Sequence, residues 1–156
     1  MGAITPVAID TDVLVLAFAF HQDPRQTANT RFLEAMRQQT PLVAIYSVLE
    51  LLGQLSFNLS PTRLAQWPSW LQDRYGLTLL YPETTNLTAD AFFRDEFIDR
   101  PFARMQQQRV PFLDGLILGL VERVANVECF VTWNARHYRG KTQLNVLTPA
   151  EYMANE

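Results

Sequence analysis

The stretch Val7-Ala8-Ile9-Asp10-Thr11-Asp12 decides the fold. Three apolar residues ended by an acid read as a short strand covered on both faces, because a strand with one wet face would alternate. The same form returns downstream. Leu42-Val43-Ala44-Ile45 is a second buried strand, residues 77–81 a third, 128–132 a fourth and 144–147 a weaker fifth. Helical stretches separate them. Residues 24–39 carry Thr27, Phe32, Leu33 and Met36 at helical spacing and stop before Pro41. Ser47 opens an apolar helix over 48–59, and Gly76 stops another over 62–75. Residues 88–107 are helical with mixed charge, 112–125 helical and strongly apolar, and a last short helix begins near Pro149. Strands alternating with helices imply parallel pairing with right-handed crossovers. The expectation is a three-layer α/β domain over residues 1–156, with a mostly parallel sheet of about five strands flanked by helices.

Composition narrows the function. Hydrophobic residues make up 48% of the 156, enough for a packed core. The formal net charge is −3 and the only lysine is Lys141, whereas a duplex-DNA binder is normally basic overall. A nucleic-acid role therefore rests on a local patch or on metal ions that neutralise phosphate. Arginines suited to phosphate gather at Arg94, Arg100, Arg104 and Arg109, and again at Arg136 and Arg139. The lone Cys129 excludes an internal disulfide and fits a reducing compartment. The first arginine is Arg25, so no basic leader is expected, and the early apolar run 13–20 is too short to span a bilayer. A cytoplasmic protein without membrane contact is expected.

In parallel sheets the functional cleft lies at the carboxyl ends of the strands. Asp10-Thr11-Asp12 follows the first strand; Ser47 and Glu50 follow the second; Thr132-Trp133-Asn134 follows the fourth. Asp114 opens the most apolar helix, flanked by Phe112, Leu113, Leu116 and Ile117. Asp10, Glu50, Asp114 and Asn134 are thus candidate metal ligands and catalytic residues, with Asp12, Ser47 and Thr132 placed to orient them. Converging carboxylates repel unless a cation or proton sits among them. Oxygen-only donors favour Mg²⁺ or Mn²⁺ over zinc. Two such ions about 4 Å apart activate water and steady the leaving oxygen of a phosphodiester. Arg136, His137 and Arg139 are candidate RNA contacts. Each acid also has a structural reading: Ser47-x-x-Glu50 matches a capping box, Asp10, Asp12 and Asn134 suit helix caps, and Asp114 suits a first turn.

These residues resemble a family. Ile9-Asp10-Thr11-Asp12-Val13-Leu14, Ser47-Val48-Leu49-Glu50-Leu51, Leu113-Asp114-Gly115-Leu116-Ile117 and Thr132-Trp133-Asn134-Ala135-Arg136-His137-Tyr138 look like the four motifs of PIN domains, with VapC-type toxins as the nearest group. The resemblance runs from about Val7 to Tyr152. It implies a Mg²⁺- or Mn²⁺-dependent endoribonuclease that hydrolyses RNA with metal-activated water, a small antitoxin that masks the site, and a homodimer. Two positions depart from the pattern: Asp12 stands where asparagine is usual, and Asn134 where aspartate is usual. Asn134 also admits a PIN-like binding module without catalysis. Asp10-Thr11-Asp12-Val13 looks in addition like the nucleophile motif of haloacid-dehalogenase-like phosphatases, a scheme that needs a well-placed lysine; only Lys141 is present.

Overall fold

A computed structural model describes residues 5–156. Five strands, β1 (Val7–Ile9), β2 (Leu42–Ala44), β3 (Thr78–Leu80), β4 (Cys129–Val131) and β5 (Asn145–Leu147), form one all-parallel sheet in the order β3-β2-β1-β4-β5. The helices are α1 (Thr11–Ala19), α2 (Gln26–Met36), α3 (Ile45–Leu55), α4 (Pro61–Tyr75), α5 (Ala89–Arg94), α6 (Arg100–Gln108), α7 (Phe112–Glu122), α8 (Ala135–Tyr138) and α9 (Pro149–Ala154). The strands build outward from β1 to β3, then return to the other side of β1 for β4 and β5. The point where the order reverses lies between β1 and β4. Ile9 pairs with Val131 across it, which carries Asp10 alongside Thr132.

Alternate strand residues feed two cores, as the pleat requires. Val7, Ile9, Val43 and Val131 meet Phe32, Leu33 and Met36 of α2 and Leu71 of α4. Ala8, Leu42, Ala44 and Phe130 meet Leu116, Ile117, Leu120 and Val121 of α7. Both faces are covered, which is why the strands read as unbroken apolar runs. The three-layer α/β architecture is the expected one, and the sheet is parallel throughout. Gly76 ends α4 at φ 65°, and a Cβ there would stand 2.8 Å from the Arg37 carbonyl oxygen. Only glycine fits both demands. Among the described residues no helix is long and apolar enough to cross a membrane.

Three local departures bear on the site. The apolar run after Asp10 is a helix, α1, with Asp10 as its N-cap. Helix α3 begins at Ile45, two residues before Ser47, so Ser47 lies inside the first turn rather than at the cap. The helical stretch over residues 88–107 contains a π-turn, Asp95–Asp99, between α5 and α6. Pro101 explains it: proline has no N–H to continue the α-ladder, and the widened turn absorbs the gap.

Candidate active site

Asp10 closes β1 and turns its side chain back on α1, where Oδ1 accepts the Thr11 N–H at 2.8 Å. It is only 5% exposed. Asp12 lies in the first turn of α1. Thr132 joins the two acids. Its Oγ1 stands 2.9 Å from Asp10 Oδ2 and 2.9 Å from Asp12 Oδ2. The same oxygen accepts the Asn134 N–H at 3.1 Å.

A hydroxyl has one proton and two lone pairs. Asn134 takes one lone pair and the single proton serves one carboxylate, so the other carboxylate completes the bridge only by carrying a proton itself. Asp12 also accepts the N–H of Trp133 at 3.2 Å and of Asn134 at 3.0 Å, contacts that favour its charged form. Asp10 is therefore the proton holder. Burial pushes its carboxyl up to about 8, the Asp12 charge adds to the rise, and bonds from Thr132 and the Thr11 N–H oppose it. Burial raises Asp12 as well, against the backbone bond from Trp133 and the Thr132 hydroxyl. Asp12 does act as a cap, but for the turn leading into α8, a part of the chain far from it in sequence.

Asp114 sits in the first turn of α7, with Oδ2 3.5 Å from His137 Nε2. Its carboxylate also faces the Tyr138 hydroxyl, whose pKa is raised by burial first and then by Asp10 and Asp114. The side chain of His137 thus turns toward an acid of the cluster. Arg139 is engaged elsewhere: Nε donates to the Val146 carbonyl at 3.2 Å and Nη2 to Glu151. Arg136 is exposed.

Glu50 and Ser47 make no capping box. Ala44 is the N-cap of α3 and no side chain caps it. Ser47 is fully buried, and its Oγ has no partner among the described residues. Glu50 lines a cleft of about 170 Å³ together with Thr11, Asp12, Arg25 and Gln54. Asn134 precedes α8 with an exposed side chain that caps nothing. The structure therefore joins Asp10, Asp12 and Thr132 directly and sets Asp114 beside them. Glu50 and Asn134 lie at the edge. Among the described residues no three or more His, Cys, Asp or Glu side chains stand together closely enough to hold a metal ion. Lys141 lines a different groove, with Arg104, Gln108 and Glu122, and does not serve the aspartyl-phosphatase scheme.

Two features escape a sequence reading. Asn29, fully buried in α2, donates to the Val13 carbonyl at 2.9 Å and accepts the Trp133 Nε1–H at 2.7 Å. Its place on the apolar stripe with Phe32, Leu33 and Met36 was the available signal, since a buried amide on such a stripe needs partners. Glu96, in the π-turn, receives two bonds at 2.8 Å from Arg123 Nη2 and one at 2.8 Å from the Tyr46 hydroxyl. Nothing in its charged surroundings marked it. A scan of the chain against protein-family models finds no match, and a search of the curated proteins finds none.

Proposed function

We propose that this chain is a PIN-like endoribonuclease that depends on Mg²⁺ or Mn²⁺, and that it works as the toxin of a toxin–antitoxin pair. The observation that carries the reading is the Asp10–Thr132–Asp12 bridge at the reversal point of the sheet, a buried pair of acids neither of which has a salt bridge among the described residues. Two carboxylates taken out of water without a cation are unfavourable, and a divalent ion relieves both burial and repulsion. The donor set fits a hard cation, being oxygen throughout. Asp10 and Asp114 would hold the ion, with Glu50 and the Asn134 amide as further oxygen donors; His137 stays an outer neighbour of Asp114. Such an ion supplies Lewis-acid stabilisation of a phosphodiester and a nucleophilic water at neutral pH.

The chain's own residues have defined tasks. Asp10 takes the charge of the ion on a strand end whose position the sheet fixes. Thr132 holds Asp10 and Asp12 in one orientation, and Asp12 fixes the turn that presents Asn134. His137 and Tyr138 orient Asp114 from α8. Arg136 is exposed beside this cluster and serves as a phosphate contact. A small antitoxin and a second copy of the chain are the proposed protein partners. A binding module without catalysis is the second reading, favoured by the exposed Asn134 amide and by the looseness of the acid group.

The test is cleavage of single-stranded RNA by the purified chain with Mn²⁺, with chelator, and in the Asp114→Asn variant. Metal-dependent cleavage lost in a folded variant supports the nuclease. RNA binding without cleavage at any Mn²⁺ concentration favours the binding module. For the toxin role, expression of the chain alone should slow growth and a co-expressed small antitoxin should relieve it; unimpeded growth with active nuclease in the extract would contradict that role.

A further inference from the structure

Beside the acid bridge, the cleft lined by Thr11, Asp12, Phe20, Arg25, Glu50 and Gln54 has the make-up of a binding site. Arg25 is held in place from two sides. Its Nε and Nη2 donate to Asp23 at 2.9 and 2.7 Å, and its guanidinium lies 5.6 Å from the centre of the Trp133 ring. Trp133 is itself fixed by the buried Asn29, which ties the stack to the backbone of α1. An exposed arginine usually keeps its rotamer freedom, and ordering one in advance lowers the entropy lost on binding. Thr11 gives the second sign. It is 4% exposed, lines the cleft, and its Oγ1 has no partner among the described residues. An unsatisfied buried hydroxyl is unfavourable until something bonds it.

We infer that this cleft takes one splayed nucleotide of single-stranded RNA next to the scissile phosphodiester, with Arg25 on its phosphate and Phe20 against its base. The inference rests on the ribonuclease reading for the choice of ligand. The cleft, about 170 Å³, is small and open on one side, the scale of a single base rather than of a duplex groove. Phe20 is 55% exposed and offers its ring to stacking, the contact by which unpaired bases are held. Gln54 carries both a donor and an acceptor and stands one helical turn from Glu50, so it can read a base edge. Arg25 is the cation among the lining residues, and Asp12 links the cleft to Asp10 through Thr132.

The experiment measures binding of a fluorophore-labelled, cleavage-resistant 2′-O-methyl RNA, single-stranded and as a duplex, across salt concentrations. It compares the wild type with Arg25→Ala, Arg25→Lys and Phe20→Ala. Arg25 has a half-exposed side chain, so its variants keep the fold, which the circular dichroism spectrum checks. Arg25→Ala should weaken single-strand binding about tenfold and flatten the salt dependence by about 0.7 in log–log slope. Arg25→Lys keeps the charge but loses the brace and the stack, and should fall between. In cleavage assays Arg25→Ala should raise KM more than it lowers kcat. Unchanged binding and salt slope in Arg25→Ala, alongside metal-dependent cleavage by the wild type, would overturn the cleft and leave the nuclease standing. Duplex bound as tightly as single strand would overturn it too. If the wild type cleaves nothing yet Arg25→Ala still loses single-strand affinity, the cleft stands and the nuclease reading fails.

Discussion

Asp10 and Glu96 are each 5% exposed, and both are fixed by hydrogen bonds, yet their partners differ in charge. Glu96 has a guanidinium, Arg123, on both carboxylate oxygens and the Tyr46 hydroxyl besides. Burial, with Glu96 next in effect, lifts the Tyr46 hydroxyl, so that phenol stays protonated and donates. Asp10 has a hydroxyl, an amide N–H and a second acid. The first site is complete as it stands and ties α3 and α7 to the π-turn. The second is one positive charge short. A buried acid whose bonds are satisfied but whose charge is not is in the condition that a divalent cation, or failing that a proton, corrects.

Substitutions should separate the two. The largest effect is on activity: Asp10→Asn should lower RNA cleavage about 10³-fold or more, the loss expected when a metal ion's several kcal/mol of transition-state stabilisation goes. The same change should raise the metal-free Tm near pH 7, since asparagine enters the buried site without the proton uptake that Asp10 needs on folding. Glu96→Ala should do the opposite, costing about 2–3 kcal/mol by stranding Arg123 and Tyr46. That is below the usual figure for breaking a buried pair because the Arg123 side chain is 30% exposed and can reach water. Thermal melts with chelator present, on both variants, check this pair of signs. A lowered Tm in Asp10→Asn would erase the contrast.

A pH series sharpens it. The Asp10 carboxyl is raised from 3.8 to about 8, so between those values the folded chain holds a proton that the unfolded chain releases. Its contribution to metal-free stability is full below about pH 4 and is lost as pH rises toward 8, with a slope of at most about 1.4 kcal/mol per pH unit. Asp10→Asn should flatten this decline, and urea titrations across the range read it directly. The smallest effect is at Asp12. Asparagine keeps one acceptor oxygen but turns an NH₂ toward N–H donors, so Asp12→Asn should cost about 1–2 kcal/mol. Adding Asn134→Asp should not restore it, because Asp12 bonds the backbone N–H of Asn134 and not its side chain. Full restoration in that double-mutant cycle would show that the two positions share a charge instead.

What the sequence yields follows from how local each cause is. The strands were legible because burial on both faces leaves unbroken apolar runs, and Asp10, Asp114 and Thr132 because they interrupt or end such runs. The brace between Asp12 and the turn at Trp133 and Asn134 joins residues about 120 positions apart through backbone N–H groups, which no side-chain pattern announces. Helix α1 shows in the sequence only through its cap residues, since its apolar residues are nearly continuous and have no polar face to set a period. Glu96 was hidden because its significance lies in a π-turn, and Pro101 advertises a break in the helix without saying which carboxylate the widened turn will bury. Ser47-x-x-Glu50 misled in the other direction: it spells a cap, but the helix had already begun at Ile45.

On the reading proposed above, the Asp10–Asp12 bridge holds a proton where a divalent ion would bind. Calorimetric titration of Mn²⁺ into the chelator-treated protein near pH 7, repeated in buffers of different ionisation enthalpy, counts the protons released on binding. The account predicts saturable Mn²⁺ binding with release of about one proton, both lost in Asp10→Asn. Absence of Mn²⁺ binding, or binding that releases no proton and survives Asp10→Asn unchanged, would contradict it.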